Sequence, residues 1–221
     1  METRRTFIGK GGLVVVGVVA GLAGAEQVHA LSAQAKPAMI IDLNRCTGCQ
    51  ACVIACKGYT GTAPEQFNTR LILEVNDNTP SRIIFTPVQC NQCDDPPCVS
   101  ACLENATFKL DNGIVVTDWD KCTSAGSCIE ACPYGARFAD SRYGQRVDKC
   151  DFCLARLLAG LEPACVEACS SGARIFGDLN NPRGEFSEYL QNKSLAVRKP
   201  EKLTKPNVRY VKAGHGTEEL A

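Results

Sequence analysis

A chain of 221 residues with 24 basic and 24 acidic side chains has no net charge to draw it to nucleic acid or to an anionic lipid surface. Fifteen cysteines against two histidines are far above ordinary usage, and such an excess reads as a disulfide framework or a metal scaffold. Fifteen is odd, which excludes complete disulfide pairing, and His29 and His215 both stand outside the cysteine runs, which argues against mixed Cys/His zinc sites.

The chain opens with Arg4-Arg5-Thr-Phe7, an apolar run from Leu13 to Ala25, and then Val28-His29-Ala30. A charged start, an apolar middle and a small-residue end are the parts of an export signal, and the paired arginines resemble a twin-arginine signal. Residues 1–30 are therefore expected to be a cleaved signal peptide, retention as a membrane anchor being the alternative. The apolar run falls short of the ~20 residues of a spanning helix and is diluted by Gly17, Gly21 and Gly24. The twin-arginine route is known for exporting folded proteins to the periplasm. A cofactor inserted in the reducing cytoplasm would survive there, where free thiols tend to pair. After residue 30 no apolar stretch approaches spanning length, so the mature chain is expected to be soluble and to meet a membrane only through a partner.

Ala38 to Leu43 predicts a short strand that delivers the chain to the first cysteine run, Cys46-Thr-Gly-Cys49-Gln-Ala-Cys52-Val-Ile-Ala-Cys56. Its C-x2-C-x2-C-x3-C spacing lets three thiolates wrap one cubic iron–sulfur cluster. The fourth, one helical turn further on, points to a different cluster. Residues 58–68 read as loop. Arg70 to Val75 and Arg82 to Val88 read as a hairpin around Asn76 to Pro80. The second run is Cys90, Cys93, Cys98 and Cys102, its middle spacing widened by Asp94-Asp95-Pro96-Pro97. Phe108 to Leu110 and Ile114 to Thr117 flank Asp111-Asn112-Gly113, where Asn-Gly predicts a two-residue hairpin turn. The third run is Cys122, Cys128 and Cys132, and the fourth is Cys150, Cys153, Cys165 and Cys169. The long gap from Leu154 to Ala164 predicts a helix that leaves and returns. Residues 178–221 turn polar and read as an extended tail that packs on a partner or on the domain surface.

An internal repeat underlies this order. Cys102-x3-Ala106-Thr-Phe108, Cys132-x3-Ala136-Arg-Phe138 and Cys169-x3-Ala173-Arg-Ile-Phe176 share one plan, and Asp42-x3-Cys46 and Asp118-x3-Cys122 share another. Each unit is half of a ferredoxin, so the fold class expected for residues 38–177 is α+β: two ferredoxin-like double-cluster modules, loop-rich, with short hairpins and helices.

Cys90-Asn-Gln-Cys93-Asp-Asp-Pro-Pro-Cys98, Cys132-Pro-Tyr-Gly-Ala-Arg-Phe138, Asp148-Lys-Cys150-Asp-Phe-Cys153 and Pro163-Ala-Cys165-Val-Glu-Ala-Cys169 carry a family resemblance. Over residues 38–177 the chain resembles the four-cluster iron–sulfur subunit of molybdopterin oxidoreductase complexes, the group of dimethyl sulfoxide, polysulfide and tetrathionate reductases. Gly172-Ala-Arg-Ile-Phe-Gly-Asp178, the signal and a Lys-Pro-containing tail at 199–211 make it most similar to the tetrathionate branch. The resemblance implies that the first run pairs with the fourth and the second with the third. One cluster then takes Cys46, Cys49, Cys52 and Cys169. Its neighbour takes Cys150, Cys153, Cys165 and Cys56. A third takes Cys90, Cys93, Cys98 and Cys132. The last is left with Cys122, Cys128 and Cys102. The resemblance also implies partners: a molybdopterin-containing catalytic subunit and an integral membrane quinol-oxidising subunit, in anaerobic respiratory electron transport.

The fourth set is short by one thiolate, because the ordinary spacing would place a cysteine where Ala125 stands. The reading taken first is three [4Fe-4S] clusters and one [3Fe-4S] cluster. The alternatives keep four [4Fe-4S] clusters, the last completed by water or hydroxide, or by Ser124 or Ser127. The basic residues Arg45, Lys57, Lys121, Arg137 and Lys149 read either as charges that raise cluster potentials or as solvated surface. Trp119 and Tyr134 read as packing, with electron relays as the alternative, and Asp42 and Asp118 as turn formers rather than proton carriers. There is no phosphate loop, haem motif or nucleophile beside a histidine, so the chain is expected not to be catalytic alone. Rival readings are an iron–sulfur adaptor between quinol and the cytochrome of a haem nitrite reductase, a hydro-lyase working at the three-cysteine cluster, and a structural zinc protein.

Overall fold

A computed structural model describes residues 34–76 and 82–213. The expected signal peptide, His29, His215 and most of the turn between Asn76 and Pro80 lie outside these residues. In chain order the elements are β1 (Pro37–Asp42), α1 (Ala51–Thr60), β2 (Thr69–Asn76), β3 (Arg82–Gln89), α2 (Pro97–Ser100), β4 (Thr107–Lys109), β5 (Val115–Thr117), α3 (Ser127–Glu130), β6 (Arg137–Asp140), β7 (Arg146–Lys149), α4 (Leu154–Leu158), α5 (Ala164–Glu167), β8 (Arg174–Asp178), α6 (Gly184–Asn192), β9 (Leu195–Ala196) and β10 (Val208–Val211). The mixture of short helices and strands fits the expected α+β class.

β1 is buried along its whole length, as an uninterrupted apolar strand covered on both faces should be. Its alternation sorts the two faces. Met39 and Ile41 enter the main core with Leu43, Val53, Ile84, Phe152, Val208 and Tyr210. Ala38 and Ile40 pack the other way, against Ile175, Phe186 and Tyr189. β1 pairs antiparallel with β8 (Met39 opposite Phe176) and parallel with β10 (Met39 opposite Val208), giving the sheet order β8-β1-β10-β9.

This sheet corrects the expected tail. Residues 178–213 are no extended appendage: α6 covers one face of β1, and β10 lies beside it. Polarity misled because each element buries only a stripe. α6 buries Phe186 and Tyr189, and β10 buries Val208 and Tyr210, alternating with half-buried Arg209 and Val211.

The hairpins β2–β3, β4–β5 and β6–β7 are separate two-stranded ribbons. β2–β3 has the expected pairing, with Arg70 opposite Val88. The β4–β5 turn is one residue longer than expected. The Leu110 amide donates to Ile114 O at 2.9 Å and the Gly113 amide to Leu110 O at 2.8 Å. The loop is thus Asp111-Asn112-Gly113, with Gly113 at φ 85°, the left-handed position that closes a three-residue hairpin loop. Between the third and fourth runs the chain makes the β6–β7 ribbon. The gap expected as one helix holds only the short α4 and a turn at Gly160, and α5 begins at its last residue, Ala164.

Candidate iron–sulfur cluster sites

Each cysteine run has the same local build. A loop curls through a left-handed residue: Gln50 in the first run, Gln92 in the second, Ser124 in the third and Phe152 in the fourth. For residues other than glycine that conformation costs on the order of 1–3 kcal/mol and persists only where the surroundings fix it. A helix then begins and carries the last cysteine away from the loop. Cys56 lies on α1, Cys102 just after α2, Cys132 just after α3 and Cys169 just after α5. In the first loop Gly48 (φ 73°) lies under the Phe85 ring of β3. A Cβ there would come within 2.7 Å of the ring, so the approach of β3 to this loop requires glycine.

All fifteen cysteines are unpaired thiols, and they meet in groups that mix runs. Cys46, Cys49 and Cys52 line one cavity with Cys169, beside Pro87 and Arg174. Burial drives the Cys150 thiol well above its ordinary value, and the neighbouring Cys56, Cys153 and Cys165 add to the rise. Burial likewise pushes Cys93 up to about 12. The Thr204 hydroxyl works against that rise, while Cys90, Cys98 and Cys132 reinforce it. Cys102, Cys122 and Cys128 line a further cavity with Ala125, Gly126 and Leu103. Ser124 Oγ donates to Gly144 O at 2.9 Å and Ser127 Oγ to Ala101 O at 2.8 Å, so either hydroxyl would have to leave a carbonyl to serve as a ligand. Among the described residues no group of three His, Cys, Asp or Glu side chains is placed to hold a single metal ion.

The basic residues divide sharply. Lys121 is exposed beside Asp118, Arg45 pairs with Glu185 at 2.5 Å, and Lys57 donates to the carbonyls of Ala63, Pro64 and Gln66. Arg137 and Lys149 are buried, 4% and 2% exposed, and so is Arg174, 3% exposed, which the sequence reading did not single out. Its signal was the repeat itself: Ala173-Arg174 stands where Ala136-Arg137 stands. Arg137 Nη2 donates to Cys98 Sγ at 3.3 Å, and its Nη1 to the hydroxyls of Thr107 and Thr117. Arg174 Nη1 lies 3.7 Å from Cys165 Sγ and donates to Gln89 Oε1 at 3.0 Å, while Nη2 donates to Thr69 Oγ1 at 2.8 Å. Lys149 Nζ donates to the carbonyls of Val115 and Cys150. Among the described residues the charged group of none of the three meets a carboxylate, and the Nε of both arginines is buried without an acceptor. A buried cation without a counter-charge is strongly disfavoured. Anionic clusters held by these thiolates would supply both the charge and the missing acceptors, so the residues present fit iron–sulfur clusters.

The C-terminal residues belong to the site. Burial opposes ionisation of Asp42, yet hydrogen bonds from Tyr189 and Asn44 and the charge of Arg45 hold its carboxyl below the usual value. Tyr189 Oη donates to Asp42 Oδ2 at 2.7 Å and thereby ties α6 to the approach to Cys46. Asp42 Oδ1 accepts from the Asn44 amide and Asp118 Oδ1 from the Asp120 amide, the turn-forming role expected of both. Further on, the Asp94 and Asp95 amides donate to Lys205 O and Thr204 O, and Asn207 Nδ2 to Gln92 O. Tyr134 Oη meets Thr204 Oγ1 at 2.5 Å, and Lys199 Nζ donates to Pro133 O. Residues 199–207 therefore form a strap over the second run and over the end of the third. Trp119 Nε1 donates to Val147 O, and Tyr134 is buried in one apolar cluster with Cys90 and Cys93.

Comparison with known proteins agrees with this geometry. Family models for a 4Fe-4S dicluster domain and a 4Fe-4S binding domain match residues 81–179 and 37–58. The B subunit of tetrathionate reductase from Salmonella typhimurium is 39% identical, over 95% of this chain and 88% of that protein. This protein belongs to the iron–sulfur B-subunit family of molybdopterin oxidoreductases. Within this family, the B component of polysulfide reductase from Wolinella succinogenes is 35% identical over 80% of this chain and 94% of its own. The B subunit of sulfite dehydrogenase from Allochromatium vinosum is 36% identical over 79% and 82%. Family membership makes the chain an iron–sulfur electron-transfer subunit that is not catalytic alone. The nitrite reductase adaptor gains no support from these relatives.

Proposed function

We propose that the chain relays single electrons between a membrane quinol-oxidising subunit and a molybdopterin-containing catalytic subunit that reduces a sulfur compound, tetrathionate or polysulfide. The observation that carries this reading is the convergence of the cysteines into mixed-run groups beside buried cations that lack carboxylates. The proposed ligand sets are Cys46, Cys49, Cys52 and Cys169; Cys56, Cys150, Cys153 and Cys165; Cys90, Cys93, Cys98 and Cys132; and Cys102, Cys122 and Cys128. They form two double-cluster modules. When bound, the clusters supply uptake and release of one electron at a time. The protein supplies ligation, spacing and exclusion of water. The engaged hydroxyls of Ser124 and Ser127 favour a [3Fe-4S] cluster at Ala125 over a serine-ligated one.

Names of the relatives as B subunits support assembly with catalytic and membrane partners. Among the described residues no helix is long and apolar enough to cross a membrane. The twin-arginine pattern of residues 1–30 supports export of the folded chain to the periplasm.

Low-temperature electron paramagnetic resonance tests the cofactor content, on protein of measured iron and sulfide content, first as isolated under air and then after strong reduction. A signal before reduction is expected, because an oxidised three-iron cluster is paramagnetic and an oxidised four-iron cluster is not. Signals only after reduction would replace the three-iron cluster with a fourth four-iron one. Silence in both states in metal-loaded protein would overturn the reading.

A further inference from the structure

Three of the buried cations, Arg174, Lys149 and Arg137, are spaced along the chain of sites, and their spacing rests on contacts independent of the family match. Cys52 of the first ligand set and Cys165 of the second share the main core. Arg174 stands at that junction: it contacts Cys165 and lines the first cavity together with Cys52. Cys150 of the second set packs against Cys90, Cys93 and Tyr134 at the third. Lys149 stands there, with Nζ on the Cys150 carbonyl at 2.9 Å and its charge acting on the Cys98 thiol. Cys98 of the third set and Cys128 of the fourth share a further apolar cluster. Arg137 stands at this last junction, with Nη2 on Cys98. Its Nη1 rests on Thr107, whose own amide donates to Cys102 Sγ of the fourth set at 3.4 Å.

We propose that Arg174, Lys149 and Arg137 set the reduction potentials of the clusters, one cation at each of the three successive junctions, each acting on the two clusters that flank it. This rests on the ligand sets proposed above. Reduction adds one electron to a cluster while its neighbour loses one, and the cations keep their protons throughout. A fixed positive charge favours the more negative, reduced state, so each cation raises both neighbouring potentials.

The test is a redox titration of the iron-loaded chain followed by electron paramagnetic resonance, with Arg174→Gln, Lys149→Gln and Arg137→Gln. Each variant is expected to lower the potentials of two clusters, by about tenfold in the reduction equilibrium, or ~59 mV for one electron. Arg174→Gln should move the first and second, Lys149→Gln the second and third, and Arg137→Gln the third and fourth. The charge-keeping variants Arg174→Lys, Lys149→Arg and Arg137→Lys should hold the parent potentials. Loaded Gln variants with unchanged potentials, or an equal shift of all four clusters, would overturn the proposal. Two-cluster shifts in other combinations would uphold the action of the cations and overturn the proposed ligand sets. Where a Gln variant takes up no iron but its charge-keeping counterpart does, the need for charge is read through assembly and supports the proposal. Failure of both to take up iron would assign a purely structural role and overturn it.

Discussion

Ala125 replaces a donor with a methyl group in a cavity lined by three thiols, which makes it the residue whose substitution has the simplest reading. Ala125→Cys restores the ordinary spacing and should add about one iron per chain. The signal of the air-oxidised protein should vanish in the variant, leaving only signals after reduction. A different chemistry governs Asp42. Its carboxyl is held low, so its contribution is present above the unfolded value of 3.8 and is lost as the pH falls below it. Tyr189→Phe removes the hydrogen bond to the ionised carboxylate and should cost about 2 kcal/mol near neutral pH. In chemical denaturation that cost should shrink as the pH falls through and below 3.8 and Asp42 takes up its proton. The cysteines and Ala125 were legible in the chain because spacing alone displays them. Arg174 was visible only as the repeat partner of Arg137, and its burial, which separates it from the solvated Lys121, was not legible.

At the scale of elements, the loops of the cysteine runs and the β2–β3 hairpin could be read in advance, since turn residues and alternation mark them. α6 and β10 could not, because long-range pairing with β1 gives them their burial and no local signal reports it. Their fit is tight. A Cβ on Gly177 of β8 would come within 2.3 Å of the Phe186 ring of α6. Gly177→Ala should cost about 1–3 kcal/mol, lowering the melting temperature by roughly 2–4 °C per kcal/mol. Phe186→Leu in the same chain should recover part of the loss, a non-additivity that identifies the contact as the cause. The strap at 199–207 makes a second prediction at this scale. Tyr134→Phe together with Thr204→Val loosens it over Cys93 and should speed the loss of iron to a chelator, measured as the rate of absorbance bleaching.

At the scale of the molecule, the apolar core and the cysteine groups are one body, since Cys52 and Cys165 lie within the main core. Removal of iron should therefore lower thermal stability as a whole, leaving three buried cations without counter-charge. Circular dichroism melting of iron-free against iron-loaded protein should show one lower transition, and a chain that melts identically in both forms would contradict this.

β1 is among the first parts of the described chain to be synthesised, and its parallel neighbour β10 is among the last. While β10 is still inside the ribosome, β1 has a bare edge and Cys93 has no cover. The cover of Cys93 and the second edge of β1 thus both come from residues 199–211, so a site near the start of the described chain is completed by contacts far downstream. Loss of residues 199–211 would therefore damage the first cysteine run and the second together.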